Sequence, residues 1–233
     1  MLEVRALDTF YGGARILHAM HLALGANEVV ALLGRNGAGK STTLKSIMGL
    51  VRPRAGEILY DGRDIAGWPP YRICRAGVGY VPEDRRVFKE LTVFENLEVG
   101  RREGREGAPE WSIDQLFALF PNLAERSRQA GGRLSGGEQQ MLAVARTLMG
   151  NPRVVLLDEP SEGIAPVVAE QMARVIAEMK RKGLSVLISE QNLHFARLVS
   201  DRACIIEKGT VRYEGRFEDL DAHPEVSRQY LAV

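Results

Sequence analysis

The stretch Gly34-Arg35-Asn36-Gly37-Ala38-Gly39-Lys40-Ser41-Thr42 fits the pattern Gly, four residues, Gly-Lys-Ser/Thr. Ahead of it the apolar run Val29-Val30-Ala31-Leu32-Leu33 predicts a buried parallel strand. Behind it Leu44, Ile47 and Met48 fall at helical spacing, with Gly49 as a C-cap. A glycine-rich turn from a buried strand into a helix commits the chain to an α/β fold. It also commits it to a phosphate ligand. The glycines let backbone N–H groups surround phosphate oxygens, helped by the helix N-terminus. Lys40 is placed to reach β- and γ-phosphates, and Ser41 to ligate Mg²⁺.

At 233 residues the chain can bury a large core in one domain or two lobes. A formal net charge of +1 gives no electrostatic argument for nucleic acid or an acidic partner. No apolar run reaches the length of a membrane span, and Met1 to Phe10 lacks a signal pattern. Cys74 and Cys204 belong to no metal-spacing motif, and a reducing cytoplasm is the simplest setting.

From Leu2 to Glu28 the chain predicts short strands, with Met20, Leu22 and Leu24 alternating as on a half-buried antiparallel strand. Tyr11 precedes the phosphate loop and can either stack on a purine or pack within its own loop. Val51 to Tyr80 reads as strand-and-turn material, with a hairpin turn at Asp61-Gly62 and a strand at Gly79-Tyr80-Val81 stopped by Pro82. Glu83 and the charged loop Asp84-Arg85-Arg86 follow. Between Leu91 and Met149 the pattern turns helical, interrupted by a Gly- and charge-rich loop from Gly100 to Pro109.

Leu134-Ser135-Gly136-Gly137-Glu138 opens one of these helices. Ser135 and Glu138 fit a capping box, and Ser135 with the Gly136 and Gly137 amides also fits an anion site; a helix N-terminus does both. Val154 to Leu157 is a second buried strand ending in Asp158-Glu159, acidic residues at the end where α/β sheets bind ligands. Asp158 is placed to hold Mg²⁺ directly or through water, and Glu159 to polarise a water that attacks the γ-phosphate. A helix from Pro166 to Gly183, strands at Ser185 to Ile188 and Ala203 to Ile206, a hairpin at Lys208-Gly209 and a short polar tail complete the chain.

The order of phosphate loop, Leu-Ser-Gly-Gly-Glu-Gln and Asp-Glu-Pro resembles the ATP-binding cassette (ABC) family over nearly the whole chain. The wording Val81-Pro82-Glu83, Arg85-Arg86-Val87-Phe88 and Glu190-Gln191-Asn192 is similar to the ATPase subunits of branched-chain amino-acid importers. The resemblance implies a phosphate-loop NTPase (RecA-like) core, residues 1–83 and 150–233. It also implies an N-terminal antiparallel β-subdomain and an inserted helical lobe, residues 84–149. It implies ATP with Mg²⁺, a second ABC ATPase subunit and integral-membrane permease subunits, no nucleic acid, and a cytoplasmic place on the inner face of the cell membrane. Tyr11 matches the aromatic that stacks on adenine. Glu83 stands where most members have a Gln that contacts Mg²⁺, Gln191 where most have a His touching the γ-phosphate, and Ala165 where many have an Asp. Two cassettes then face head to tail, with ATP on Lys40 and Ser41 of one covered by Ser135 and Gly137 of the other, and Glu159 activating water. A soluble non-transport ABC ATPase, a non-hydrolysing scaffold and an importer of urea or amides are the competing readings.

Overall fold

The computed structural model describes residues 1–231. Val29–Leu33 forms β3, buried along its whole length and flanked on both sides by parallel neighbours, β8 (Ser185–Glu190) and β9 (Arg202–Glu207). Beyond β8 lie β7 (Val154–Asp158) and β6 (Val78–Val81), also parallel; beyond β9 lies the antiparallel β10 (Thr210–Arg216). The order β10-β9-β3-β8-β7-β6 makes a six-stranded sheet. Along β7 the side chains alternate between its faces. Val154 and Leu156 share a core with α1 (Lys40–Ile47), while Val155 and Leu157 share one with α6 (Gly136–Leu148) and α7 (Pro166–Arg181). Burial on both faces is why this strand reads as an unbroken apolar run.

A second sheet, order β2-β1-β4-β5, is antiparallel and joins β1 (Leu2–Tyr11), β2 (Ala14–Leu24), β4 (Ala55–Tyr60) and β5 (Arg63–Asp64). Its strands β1 and β2 are ten and eleven residues long, not the short strands expected. Met20, Leu22 and Leu24 face inward as their alternation predicts. The turn at Asp61-Gly62 has φ of 48° and 77°, as two left-handed residues require.

Two further expectations need correction. Within the strand-and-turn stretch sits a helix, α2 (Pro70–Ala76). Pro70 occupies its first turn, where a missing N–H costs nothing. The short polar tail, read without elements of its own, is helical. After β10 come α8's companions in the third core, α9 (Phe217–Ala222), with Phe217 and Leu220 buried, and α10 (Pro224–Leu231); α8 itself is Leu193–Val199.

Between β6 and β7 the chain runs through α3 (Val93–Gly100), α4 (Ile113–Leu119), α5 (Pro121–Glu125) and α6. Thr92, Ser112 and Ser135 each close a capping box at the start of α3, α4 and α6. Leu97, Leu116, Phe120 and Leu123 pack with α6 into the core that also covers β7 and β8.

Candidate functional site

The phosphate loop joins β3 to α1. Gly39 caps α1 with φ of 113°, and a Cβ there would stand 2.9 Å from Leu17 Cδ2. The loop is braced from outside. Gly209 N donates to Ala38 O at 2.8 Å and His18 N to Gly209 O at 2.9 Å, so the β9–β10 hairpin holds the loop to β2. Lys40 folds back across the loop and donates to Gly34 O at 2.8 Å and Arg35 O at 3.3 Å. Its Nζ also lies 3.0 Å from Glu159 Oε1, in an ion pair whose side chains are 3% and 7% exposed.

Sheet order assembles the rest. Asp158 ends β7, level with Ser189 on β8, and Tyr80 on β6 reaches it from the other side. Asp158 Oδ1 accepts from Ser41 Oγ at 2.9 Å and from Ser189 Oγ at 2.6 Å; Oδ2 accepts from the Tyr80 hydroxyl at 3.0 Å. Burial, then the charge of Asp158, push the Tyr80 phenol far above its ordinary pKa, which fixes it as a donor. Tyr80 and Ser189 were invisible to motif reading because their role comes from strand adjacency.

Glu159 sits at φ of 48°, a left-handed conformation that costs a non-glycine residue about 1–3 kcal/mol. Its N–H donates to Ser189 O at 3.0 Å and to Ser189 Oγ at 3.1 Å, which holds it there. Sequence reading left this carboxylate free to polarise water. In the structure it is engaged, by Lys40 and by Gln191 Nε2 at 2.8 Å. Burial acts to raise its pKa, but hydrogen bonds from Glu162, Gln191 and Lys40 and the Lys40 charge outweigh it, so the carboxyl is held below the ordinary value. Gln191, expected to donate to a γ-phosphate, therefore meets the same carboxylate that is expected to activate water. Next to it Glu190 is buried, and its carboxylate accepts from Ser161 N at 3.0 Å and Gln191 N at 3.2 Å. That bond ties the loop after β7 to the loop after β8.

Glu162, also unread in the sequence, shares a hydrogen bond with Glu159. That bond, partial burial and the charges of Glu159, Glu83 and Glu190 push its carboxyl up to about 7. The sign follows directly. The folded chain keeps a proton on Glu162 that the unfolded chain, with an ordinary value of 4.5, has lost. Stability is therefore expected to fall as pH rises from about 4.5 to about 7, and Glu162→Gln is expected to flatten that segment. Thermal melts of both proteins across this range check it; parallel curves would refute it.

Tyr11, Asn36, Gly37, Gly39, Lys40, Ser41, Thr42, Glu83, Glu159 and Glu162 line one cleft of about 370 Å³. Tyr11 is 47% exposed there, so it is not packed within its own loop. Tyr11→Ala is expected to weaken nucleotide binding by about 1–3 kcal/mol and Tyr11→Phe to be nearly silent, by fluorescence titration. For Mg²⁺ the cleft offers a hydroxyl, Ser41, and the carboxylate of Asp158 that it bonds, with Glu83 on the wall. Among the described residues no group of three or more His, Cys, Asp or Glu gathers to hold a metal by itself. Few protein oxygens suit Mg²⁺, which keeps several waters and takes the rest of its shell from phosphates.

Leu134, Ser135, Gly136, Gly137 and Glu138 are not among the cleft's walls. Glu138 N donates to Ser135 Oγ at 3.3 Å, and Ser135 N to Glu138 Oε2 at 2.8 Å, so the capping reading holds. A Cβ on Gly136 would come within 2.5 Å of Arg85 Nη1, so this glycine leaves room for a guanidinium at the helix start. Ala165 caps α7 without a side-chain bond.

Residues 17–162 match the family model described as ABC transporter. The high-affinity branched-chain amino acid transport ATP-binding protein BraG of Pseudomonas aeruginosa is 40% identical over 231 residues, 99% of each chain. The lipopolysaccharide export system ATP-binding protein LptB of Haemophilus influenzae is 34% identical over 234 residues, 99% of this chain and 97% of LptB. The solved ATP-binding subunit of an ABC transporter superposes with a TM-score of 0.84 at 30% identity, over 97% of this chain and 94% of that one.

Proposed function

Since the chain belongs to the ATP-binding cassette (ABC) transporter family and is an ATPase, we propose that it powers a membrane importer for branched-chain amino acids. The observation that carries the solute is the end-to-end identity of 40% with BraG, against 34% with LptB. No helix of the described residues is long and apolar enough to cross a membrane. The reading therefore gives it integral-membrane permease subunits as partners and places it on the inner face of the cell membrane.

In this reading the loop amides and Lys40 bind the β- and γ-phosphates, and Tyr11 stacks on the adenine. Ser41 and Asp158 would hold Mg²⁺, which would supply positive charge to offset that of the phosphates. A γ-phosphate on Lys40 competes with Glu159 for the same cation. Glu159, still oriented by Gln191, then accepts a proton from the attacking water. The segment from Leu134 to Glu138 lies outside this cleft, which supports a shared site. Ser135 and the Gly136 and Gly137 amides cover the nucleotide of a second subunit. The helices from 84 to 149 form a lobe that moves on closure, and the segment from Glu83 to Glu95 passes the motion to the permease.

The test is reconstitution with permease subunits that co-purify with it and a solute-binding protein, in vesicles loaded with ATP. Accumulation of leucine supports the reading. Intact ATPase activity without uptake of leucine, isoleucine or valine overturns the solute; failure to co-purify with any permease overturns the transporter role.

A further inference from the structure

The near-neutral net charge hides a local imbalance on the β-subdomain. Trp68, half-buried, carries two guanidiniums on its ring, Arg72 at 3.7 Å and Arg63 at 4.6 Å from the centroid. Arg52 joins them: its Nε would stand 3.3 Å from a Cβ on Gly67, the residue before Trp68. One turn along α2 from Arg72, Arg75 lies over the Tyr71 ring at 5.6 Å, and Tyr71 is 64% exposed. All four arginines are exposed, and among the described residues none of their side chains makes an ion pair or a hydrogen bond. Other surface cations are paired, as Arg5 is with Glu3 and Arg181 with Glu178. The acids beside Arg63 in sequence have other partners: Asp61 pairs with Arg153, and Asp64 accepts from the N–H groups of Ile58 and Ala66.

We propose that Arg52, Arg63, Arg72 and Arg75, set around Trp68 and Tyr71, form a surface that rests on anionic phospholipid headgroups. The chemistry favours this partner. Arg63 and Arg72 lie over the indole, which leaves their N–H groups to reach phosphate oxygens. Those guanidiniums cover the Trp68 ring, so it offers no bare platform for a nucleic-acid base. A headgroup layer asks only for a cluster of cations and an exposed amphipathic aromatic, which Tyr71 supplies. The proposal rests on the reading of the chain as a transporter subunit working beside a bilayer. It adds that the ATPase holds the lipid surface itself, and not solely through its permease.

The experiment is flotation of the full chain with vesicles of phosphatidylcholine containing phosphatidylglycerol, and with vesicles of phosphatidylcholine alone, without any permease. Binding is expected only with phosphatidylglycerol, and to weaken with added salt. Each arginine near an anionic surface is worth about a five-fold factor in partition, so Arg63→Gln with Arg72→Gln is expected to reduce binding about 30-fold. A control with equal charge loss elsewhere, Arg5→Gln with Arg181→Gln, is expected to float as the parent does. Equal loss in both double variants would overturn the surface in favour of bulk charge. Equal flotation with both vesicle types, or binding of a short RNA in place of vesicles, would overturn it too. Permease co-purification is scored separately, so loss of the lipid surface leaves the transporter reading standing.

Discussion

Lys40→Ala is expected to abolish ATP binding and also to lower the stability of the fold by about 3 kcal/mol. The first effect follows from the role proposed for Lys40, as the cation of the loop that meets phosphate. The second follows from a pairing that the sequence did not disclose. Lys40 and Glu159 are both nearly fully buried, and removing the ammonium leaves a carboxylate with Gln191 and Glu162 as its remaining donors. Breaking one half of such a pair costs about 3–5 kcal/mol, and the surviving Gln191 bond places this case at the low end. Lys40→Ala combined with Glu159→Gln is therefore expected to recover most of the stability while remaining unable to bind ATP. Calorimetric titration with ATP and chemical denaturation of the three proteins check both halves. Unchanged ATP affinity would overturn the loop assignment; an undiminished denaturation midpoint would overturn the buried pair.

Glu159→Gln alone is expected to keep ATP binding and lose about 10²–10⁴ in turnover, because an amide cannot take a proton from water. With ATP it is expected to accumulate as a dimer on size exclusion. Gly136→Asp is expected to bind ATP but never to close. Its carboxylate would pair with the Arg85 guanidinium 2.5 Å from the new Cβ and occupy the N-terminus of α6. Mixing Lys40→Ala with Gly136→Asp chains puts both lesions into one site of a mixed dimer and leaves the other site whole. About a quarter of parental turnover is then expected, since half of randomly mixed dimers carry one live site of two. If each chain held a complete site, mixing would restore nothing and Glu159→Gln would remain a monomer in ATP.

What the sequence disclosed follows the range over which each feature is encoded. The phosphate loop, the Ser135 capping box and the Asp158-Glu159 strand end are written within a few consecutive residues, and each stands where its local pattern places it. Tyr80 and Ser189 meet Asp158 only because β6, β7 and β8 lie side by side, and no local pattern states that order; Glu162 is brought back to Glu159 by the turn after β7, where its N–H donates to Glu159 O at 3.1 Å. α2 was missed because Pro69-Pro70 reads as a breaker, whereas Pro70 serves as a first-turn residue. The helices beyond β10 were missed because their faces are mostly solvated, with Phe217 and Leu220 among the few apolar anchors. The Trp68 surface escaped for a related reason: net charge averages over a chain and is blind to where its cations gather.

The placement of β3 between β8 and β9 has a consequence in time. On the ribosome β3 emerges roughly 150 residues before either neighbour, a gap of about 10–30 s at ordinary synthesis rates. Throughout it, the strand that carries the phosphate loop has two open hydrogen-bonding edges and an apolar face that nothing covers. Pairings this distant in sequence are also slow to find one another once both are present. The nascent chain is thus most exposed to misassociation in its longest-lived incomplete form, and the cleft around Lys40 cannot be fully braced until β8 and the β9–β10 hairpin have been made.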